Sequence, residues 1–489
     1  MNLLWDALAR TASQHKDKEA LVFADQSLTY GELLQKIEAC AQGLELDRLA
    51  PGSILGIYLP NSIEFVTVFW AIVRSGHIAL TLNTKYQEGE LQHYLRHRPV
   101  ARLIASSADQ TRLETLFAQE QFKTEVVAIS PQSAGGKSFV PVAMAADTTP
   151  ALMQFSTGST GLPKGVLRTH GNLLSEMTAS QKRTGAHAGD RIAAIVPLYH
   201  AHGFANAMCA AFFSGATLVL AGEFEPRATL QLLAEQRITI FPSVPFMVKV
   251  LSAMRLPAQL DFSAMRLCFT AGAALATADA GRFKERFGVT VYQLYGSTET
   301  GAVALSFEAS ASEPLDPQSV GRPLDHAKIA IFDEAGELLP TGSVGEIGIA
   351  TDAAATGYDG NPVATQASFR VGYFFPGDVG RLDESGRLTI TGRKSLFINA
   401  GGNKIDPAEI EGVLMQHEGV KEVVVLGVPS SLGGEMIKAV IVSEQELSRE
   451  ELLAHCSRHL GAFKLPKIIE FRAEIPKSPL GKVLRKYLM

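Results

Sequence analysis

Apolar runs of strand length alternate with amphipathic helical stretches through most of this chain. "SILGIYLP", "ARLIASS", "RIAAIVPL", "ATLVLAG" and "ITIFPSVP" predict strands, and "EFVTVFWAIVRSG" predicts a helix ended by Gly76. Strands separated by helices imply an α/β architecture. Beyond about residue 320 the pattern changes to "AKIAIFDEAGELLP", "GEIGIAT" and "RLDESGRLTITGR", short strands broken by Gly turns, as in an antiparallel subdomain. After Arg393 comes a last piece of mixed type: "KEVVVLGVP", "KAVIVSE" and "KIIEFRAEIP" as strands, and "SREELLAHCSRHL" as a helix. It is long enough to be a small α+β domain of its own. The predicted division is therefore a large N-terminal domain over 1–393 and a C-terminal domain over 394–489, without internal repeats.

Composition narrows the class. At 489 residues the chain exceeds the ~250–300 over which one core usually grows, which agrees with two or more domains. A formal charge of −5 with no dense Lys/Arg block points to neither nucleic acid nor an anionic membrane as partner. The cysteines, Cys40, Cys209, Cys268 and Cys456, are too far apart for paired metal ligation, and read as buried apolar residues in a reducing compartment. The N-terminus has Asp6 and Arg10 but no apolar core, against a secretion signal, and the run near "FVTVFWAIV" is too short to span a bilayer. A cytoplasmic protein is expected. Oligomeric state is not readable.

The candidate chemistry begins at "MQFSTGSTGLPKGVLRTH". Gly158 and Gly161 free the backbone to turn its N–H groups toward an anion, Ser156, Thr157, Ser159 and Thr160 add hydroxyls, and Lys164 adds charge. Gly165 and Val166 follow the lysine, so this is not G-x-x-x-x-G-K-[ST], and the flanks predict strand–loop–strand rather than strand–loop–helix. Alone, such a cluster is usually a solvated turn.

Other motifs follow in order: "PLYHAHG", "FTAGAAL", "YQLYGSTETG", "FFPGDVGRLDESGRLTITGRKSLFINAGGNKIDPAEIEGVL" and "PKSPLGKVLRKYL", with "LTYGEL" near the start. Together they make nearly the whole chain resemble the adenylate-forming superfamily of acyl-CoA synthetases, peptide-synthetase adenylation domains and luciferases. The resemblance implies ATP-dependent activation of a carboxylic acid as an acyl adenylate with release of pyrophosphate, then transfer to the thiol of coenzyme A. A carrier-protein phosphopantetheine is the alternative acceptor, and a non-catalytic sensor the alternative outside catalysis; retention of Lys482, Glu299 and Asp378 together speaks against the sensor.

By the same resemblance Thr298 contacts phosphate oxygens and Glu299 holds Mg²⁺, a hard cation that takes a carboxylate beside phosphate oxygens. Read without the family, "STETG" would be a helix cap with an acidic first turn. Tyr295 would stack on adenine, with Gly272, Ala273 and Ala274 as the facing wall; Asp378 and Arg393 would serve the ribose. Lys482, on the mobile C-terminal domain, would bind the substrate carboxylate and ATP in the first half-reaction, and Ser395 would be the hinge. Gly401 and Gly402 would line the pantetheine tunnel, with His200 gating it beside the acyl pocket; no role follows for His202.

Substrate identity is less legible. Ala201 stands where amino-acid-activating relatives usually carry an aspartate, and an ammonium buried without a counter-charge is costly. The apolar or small segments "AHGFANA", "SVPF" and "GAAL" suit a fatty or aryl acid, and no lining arginine is evident for a second carboxylate. Three positions depart from the family pattern: Pro376 replaces threonine before Gly-Asp, "STGST" inverts the commoner Thr-Ser, and Ser395 replaces aspartate or lysine.

Overall fold

The stretch "EFVTVFWAIVRSG" is apolar on every side, and a helix of that kind must be covered on every side. In the computed structural model it forms helix Ile63–Arg74, started by the Ser62 hydroxyl accepting from the Phe65 N–H and followed by Gly76 at φ +78°. Its residues from Phe65 to Val73 are all buried. Phe69 and Trp70 pack edge-on against Phe204 and Phe212, in a core that draws side chains from both large sheets.

The structure describes residues 3–86, 88–119, 122, 124–129, 146–156, 164–255, 260–307, 319–393, 397–431, 434–443, 445–476, 483 and 485–489, without the side chains of His93, His97, Arg393, Lys404 and Lys486. The chain packs as two compact units. Met1–Thr84, Pro99–Phe155 and Gly165–Gly392 form the first; Lys85–Arg98, Ser156–Lys164 and Arg393–Met489 form the second.

The larger sheet has a parallel half in which Glu19–Phe23, Thr217–Leu220, Arg191–Ala194, Ile240–Ser243, Leu267–Thr270 and Val291–Ser297 lie side by side in that order. The ladder then turns antiparallel, from Val291–Ser297 to Gly301–Leu305, Ser319–Pro323 and Leu388–Arg393. The antiparallel strands expected beyond residue 320 are present, Ala327–Phe332 on Gly345–Thr351 among them, and they are hydrogen-bonded onto the α/β sheet. A six-stranded sheet orders Glu125–Ala128, Arg102–Ala105, Ile54–Tyr58, Ile78–Thr81, Pro150–Ser156 and Lys164–Thr169. The last two are the strands expected on either side of the Gly/Ser/Thr segment; the helix after them starts at His170, two residues before the expected Asn172. "LTYGEL" forms a capping box between Thr29 and Glu32, and the buried Tyr30 hydroxyl donates to the Ala216 carbonyl at 2.7 Å.

In the second unit Val420–Pro429 pairs antiparallel with Glu435–Ser443, which takes Ile468–Phe471 in parallel. Hairpin Ile398–Ala400/Asn403–Ile405 turns through Gly401 and Gly402 at φ +58° and +84°, the two successive positive values that a tight hairpin turn of primed type requires. Lys464, 3% exposed, binds Glu409 at 2.7 Å and Glu90. All four cysteines are buried free thiols, and burial pushes Cys40 and Cys268 up to about 12, Cys456 up to about 11 and Cys209 higher. Among the described residues no helix is long and apolar enough to cross a membrane.

Candidate functional site

"YQLYGSTETG" does not start a helix. Strand Val291–Ser297 runs into a turn at Thr298–Thr300, and Gly301–Leu305 runs back beside it. Glycine is required at both ends of this turn. A Cβ on Gly296 would lie 2.2 Å from the Gly301 carbonyl oxygen, and Gly301, at φ +66°, has the Glu176 carboxylate 2.3 Å from where its Cβ would be. Glu299 is buried on the turn and Thr298 half-buried. The Tyr358 hydroxyl donates to Glu299 Oε1 at 2.8 Å, and the Ala355 N–H donates to the Glu299 carbonyl at 2.8 Å. Oε2 has no hydrogen-bond partner among the described residues.

A buried ion pair holds both arms of this arrangement. Arg168 Nη1 donates to Glu176 Oε2 at 2.7 Å, with side chains 2% and 0% exposed. Arg168 also donates to the Ala353 carbonyl, two residues before Ala355, while Glu176 Oε1 accepts from the Ala302 N–H at 2.8 Å, three residues after Glu299. Every lone charge is thus matched, as burial demands.

Tyr295, near the end of the strand that leads into the turn, donates its hydroxyl to Asp378 Oδ2 at 2.7 Å. The residues expected at adenine and at ribose are therefore adjacent. Asp378 begins strand Asp378–Leu382 just after Gly377 at φ +82°. Gly272, Ala273 and Ala274 form an exposed loop after strand Leu267–Thr270, with Gly272 at φ +89°.

"PLYHAHG" leads into a helix whose segment Phe204–Cys209 is π-helical, a departure that recurs at functional sites. Gly203 is obligatory there, because a Cβ would meet the Pro197 carbonyl oxygen at 2.4 Å. His200 is an exposed residue whose ring lies against Tyr199 with centroids 4.7 Å apart. Crowding by protein, then His202, pushes its pKa down. His202, which sequence reasoning left without a role, is hydrogen-bonded through Nε2 to the Ser243 carbonyl at 2.9 Å and through Nδ1 to Asn206 at 3.1 Å. Burial pushes it down to about 4, against the pull of the Ser243 carbonyl, so it is neutral at physiological pH.

In the second unit Lys164 is buried, and Ser156 carries a buried Oγ without a hydrogen-bond partner among the described residues. Gly401 and Gly402 are exposed at the hairpin turn, and the backbone of Arg393 ends strand Leu388–Arg393. Thr157, Gly158, Ser159, Thr160, Ser395 and Lys482 lie outside the described residues.

Residues 8–359 match the model of the AMP-binding enzyme family, and residues 409–482 that of the AMP-binding enzyme C-terminal domain. The chain belongs to the AMP-binding enzyme family. It is 30% identical to the long-chain-fatty-acid–CoA ligase of Bacillus subtilis (strain 168), over 99% of this chain and 94% of that one. It is 29% identical to the oxalate–CoA ligase of Arabidopsis thaliana, over 98% and 96%. Among solved structures it resembles a double mutant of o-succinylbenzoate CoA synthetase from Bacillus subtilis bound with a product analogue, at TM-score 0.89 and 26% identity over 99% of this chain and 98% of that one. The AMP-binding enzyme described here is an ATP-dependent acid–thiol ligase of the acyl-CoA synthetase type.

Among the described residues no group of three or more His, Cys, Asp or Glu could cage a metal ion. A cage is not what Mg²⁺ uses when it also binds a nucleotide: one or two carboxylates suffice beside phosphate oxygens and waters. Glu299, oriented through one oxygen and open at the other, fits that requirement.

Proposed function

We propose that this chain activates a monocarboxylic acid with an uncharged, largely apolar tail and passes it to coenzyme A. The observation that carries the reading is the buried Glu299 carboxylate, aimed by Tyr358 and left with one available oxygen. Bound Mg²⁺ would supply charge neutralisation at the phosphates, and Glu299 would hold it. Tyr295 would stack on adenine with Asp378 beside it for the ribose, their mutual hydrogen bond fixing both. Thr298, Ser156, Thr157, Ser159, Thr160 and Lys164 would donate to phosphate oxygens, with Gly158 allowing close backbone approach.

A carboxylate oxygen of the acid attacks the α-phosphorus, the bond to the β-phosphate bridging oxygen breaks, and pyrophosphate leaves. Lys482 would hold the two anions together, because a compact charge on a flexible stem can reach both. In the second step the thiolate sulfur of coenzyme A attacks the acyl carbonyl and AMP leaves. Gly401, Gly402 and His200 would shape the thiol's path, and a rotation about Ser395 of a domain beginning near 394 would separate the steps.

Relatives at nearly equal identity are named for a long-chain fatty acid and for oxalate, so identity does not choose the acid. The cavity lining supports an uncharged tail. Met177, Ile192, Asn206, Ile240 and Phe269 line the cavity beside His202, and no charged residue among its lining could pair with an ammonium or a second carboxylate. Lys482→Ala tests the core of the reading. It should lose ATP–pyrophosphate exchange by about 100-fold or more, in keeping with loss of a charge aimed at the transition state, while still converting supplied acyl adenylate to thioester. Equal loss of both half-reactions would refute the role given to Lys482, and absence of AMP release across a carboxylic-acid panel with ATP and CoA would refute the function.

A further inference from the structure

His202 and Asn206 fix each other's orientation, and the result leaves an acceptor with nothing to accept. The Ser243 carbonyl can only accept, so the His202 proton sits on Nε2. Nδ1 of the neutral ring is then an acceptor, and Asn206 must present its amide NH₂ to it. Asn206 Oδ1 is thereby turned away from His202 and has no hydrogen-bond partner among the described residues, although Asn206 is only 7% exposed.

Asn206 lines a cavity of about 20 Å³, room for one water-sized group. Ser180, on helix His170–Thr184, lines it as well; it is 8% exposed and its Oγ has no hydrogen-bond partner among the described residues. The rest of the wall is mostly apolar, with Met177, Ile192, Phe213 and Phe269 prominent. Phe269 meets the His202 ring edge-on at 6.0 Å, so the cavity and His202 share a wall. Two polar groups without partners among the described residues, one an acceptor and one a hydroxyl that can donate, belong to residues that line a space of hydroxyl size. Buried polar groups are normally paired, and an apolar occupant would leave both unsatisfied.

We propose, building on the function above, that this cavity is the far end of the acid pocket and selects acids bearing a single hydroxyl at the end of an apolar body. The hydroxyl donates to Asn206 Oδ1 and accepts from Ser180 Oγ. An ammonium or carboxylate finds no counter-charge there, and a larger polar group does not fit. The same chemistry is offered by a ring hydroxyl on an aryl acid and by a terminal hydroxyl on an aliphatic acid.

The test is kcat/KM of the full-length enzyme for matched pairs: an unsubstituted aryl acid against its para-hydroxy form, and a fatty acid against its ω-hydroxy form. In at least one pair the hydroxylated acid should be preferred about tenfold, the scale of one or two well-made hydrogen bonds, and the pair that shows it identifies the body. Ser180→Ala should cut that preference about fivefold, and Asn206→Leu should abolish it. Should Asn206→Leu fail to fold, Ser180→Ala, which deletes one oxygen, still decides. Parents used as well as their hydroxylated partners in both pairs would overturn the inference and leave an ordered water as the cavity's occupant, with the function intact. No turnover of any acid would overturn the function and this inference together.

Discussion

Arg168 and Glu176 in the first unit meet one to one, whereas Lys464 in the second meets two carboxylates, Glu90 and Glu409. Both clusters are buried. The first is balanced and fully engaged: the guanidinium reaches Glu176 and the Ala353 carbonyl, and the carboxylate adds the Ala302 N–H. Planar, always charged arginine suits a fixed strut. The second sets one ammonium against two carboxylates. Tyr86 and Phe463 lie 5.6 and 5.5 Å from the Lys464 ammonium, favourable as cation–π contacts but unable to neutralise a carboxylate. Burial alone would lower the Lys464 pKa; Glu409 and Glu90 together overcome it and raise it. The first cluster is therefore a fixed strut for the Glu299 turn, while burial in the second raises the Glu409 carboxyl, which can take up a proton.

The largest effect should come from removing the cation of the unbalanced cluster. Lys464→Met leaves two buried carboxylates facing each other, and breaking a buried pair by deleting one partner costs about 3–5 kcal/mol. Glu409, whose carboxyl burial already raises, would then lose the cation that opposes the rise, so the loss should shrink as pH falls from 8 to 5.5. Denaturant unfolding at the two pH values measures this; a loss equal at both would mean the carboxylates are not left charged and buried.

A smaller effect is expected on the balanced side. Tyr358→Phe removes the one side-chain donor to Glu299 Oε1 among the described residues and leaves the Arg168–Glu176 ion pair untouched. Pyrophosphate exchange should fall about tenfold, the lower end for a hydrogen bond to a charged group, with a raised Mg²⁺ requirement. An unchanged Mg²⁺ requirement would detach Tyr358 from the role given to Glu299.

Tyr358 marks the limit of what the sequence shows. Strands, helices and the strand–loop–strand around "STGSTGLPK" were readable because period and turn residues are local. "STETG" drew attention as a motif, but its Tyr358 partner is 59 positions away, on a segment with no motif of its own. Arg168 and Glu176 are eight apart, yet one is on a strand and the other on a helix, so no helical spacing links them. His202 and Asn206 carry a usable signal, two polar residues at i and i+4 in an apolar helix. The Lys464 cluster was least legible: it joins positions 374 apart, and a lysine in "GAFKLP" reads as solvated.

The smallest expected effect separates excess charge from necessary charge in that cluster. Burial raises the Glu409 carboxyl above the ordinary range, Lys464 opposes the rise, and Glu90 adds to it. The folded chain therefore holds this proton more tightly than the unfolded chain does. Stability should rise as pH falls from above the folded-state pKa toward the unfolded value of ~4.3, and gain nothing further from this group below it. Glu409→Gln removes the titration while keeping an oxygen for the Lys464 ammonium, and Glu90 still balances the charge. Stability at pH 7.5 should thus stay within about 1 kcal/mol of the parent, since a buried ion can be replaced at little cost when no partner is left unpaired. The slope between pH 7.5 and 5 should flatten, as measured by hydrogen exchange of helix Pro407–Leu414, which carries Glu409. A loss of several kcal/mol at pH 7.5 with the slope retained would show that Lys464 needs both carboxylates, and the two clusters would then differ in count but not in kind.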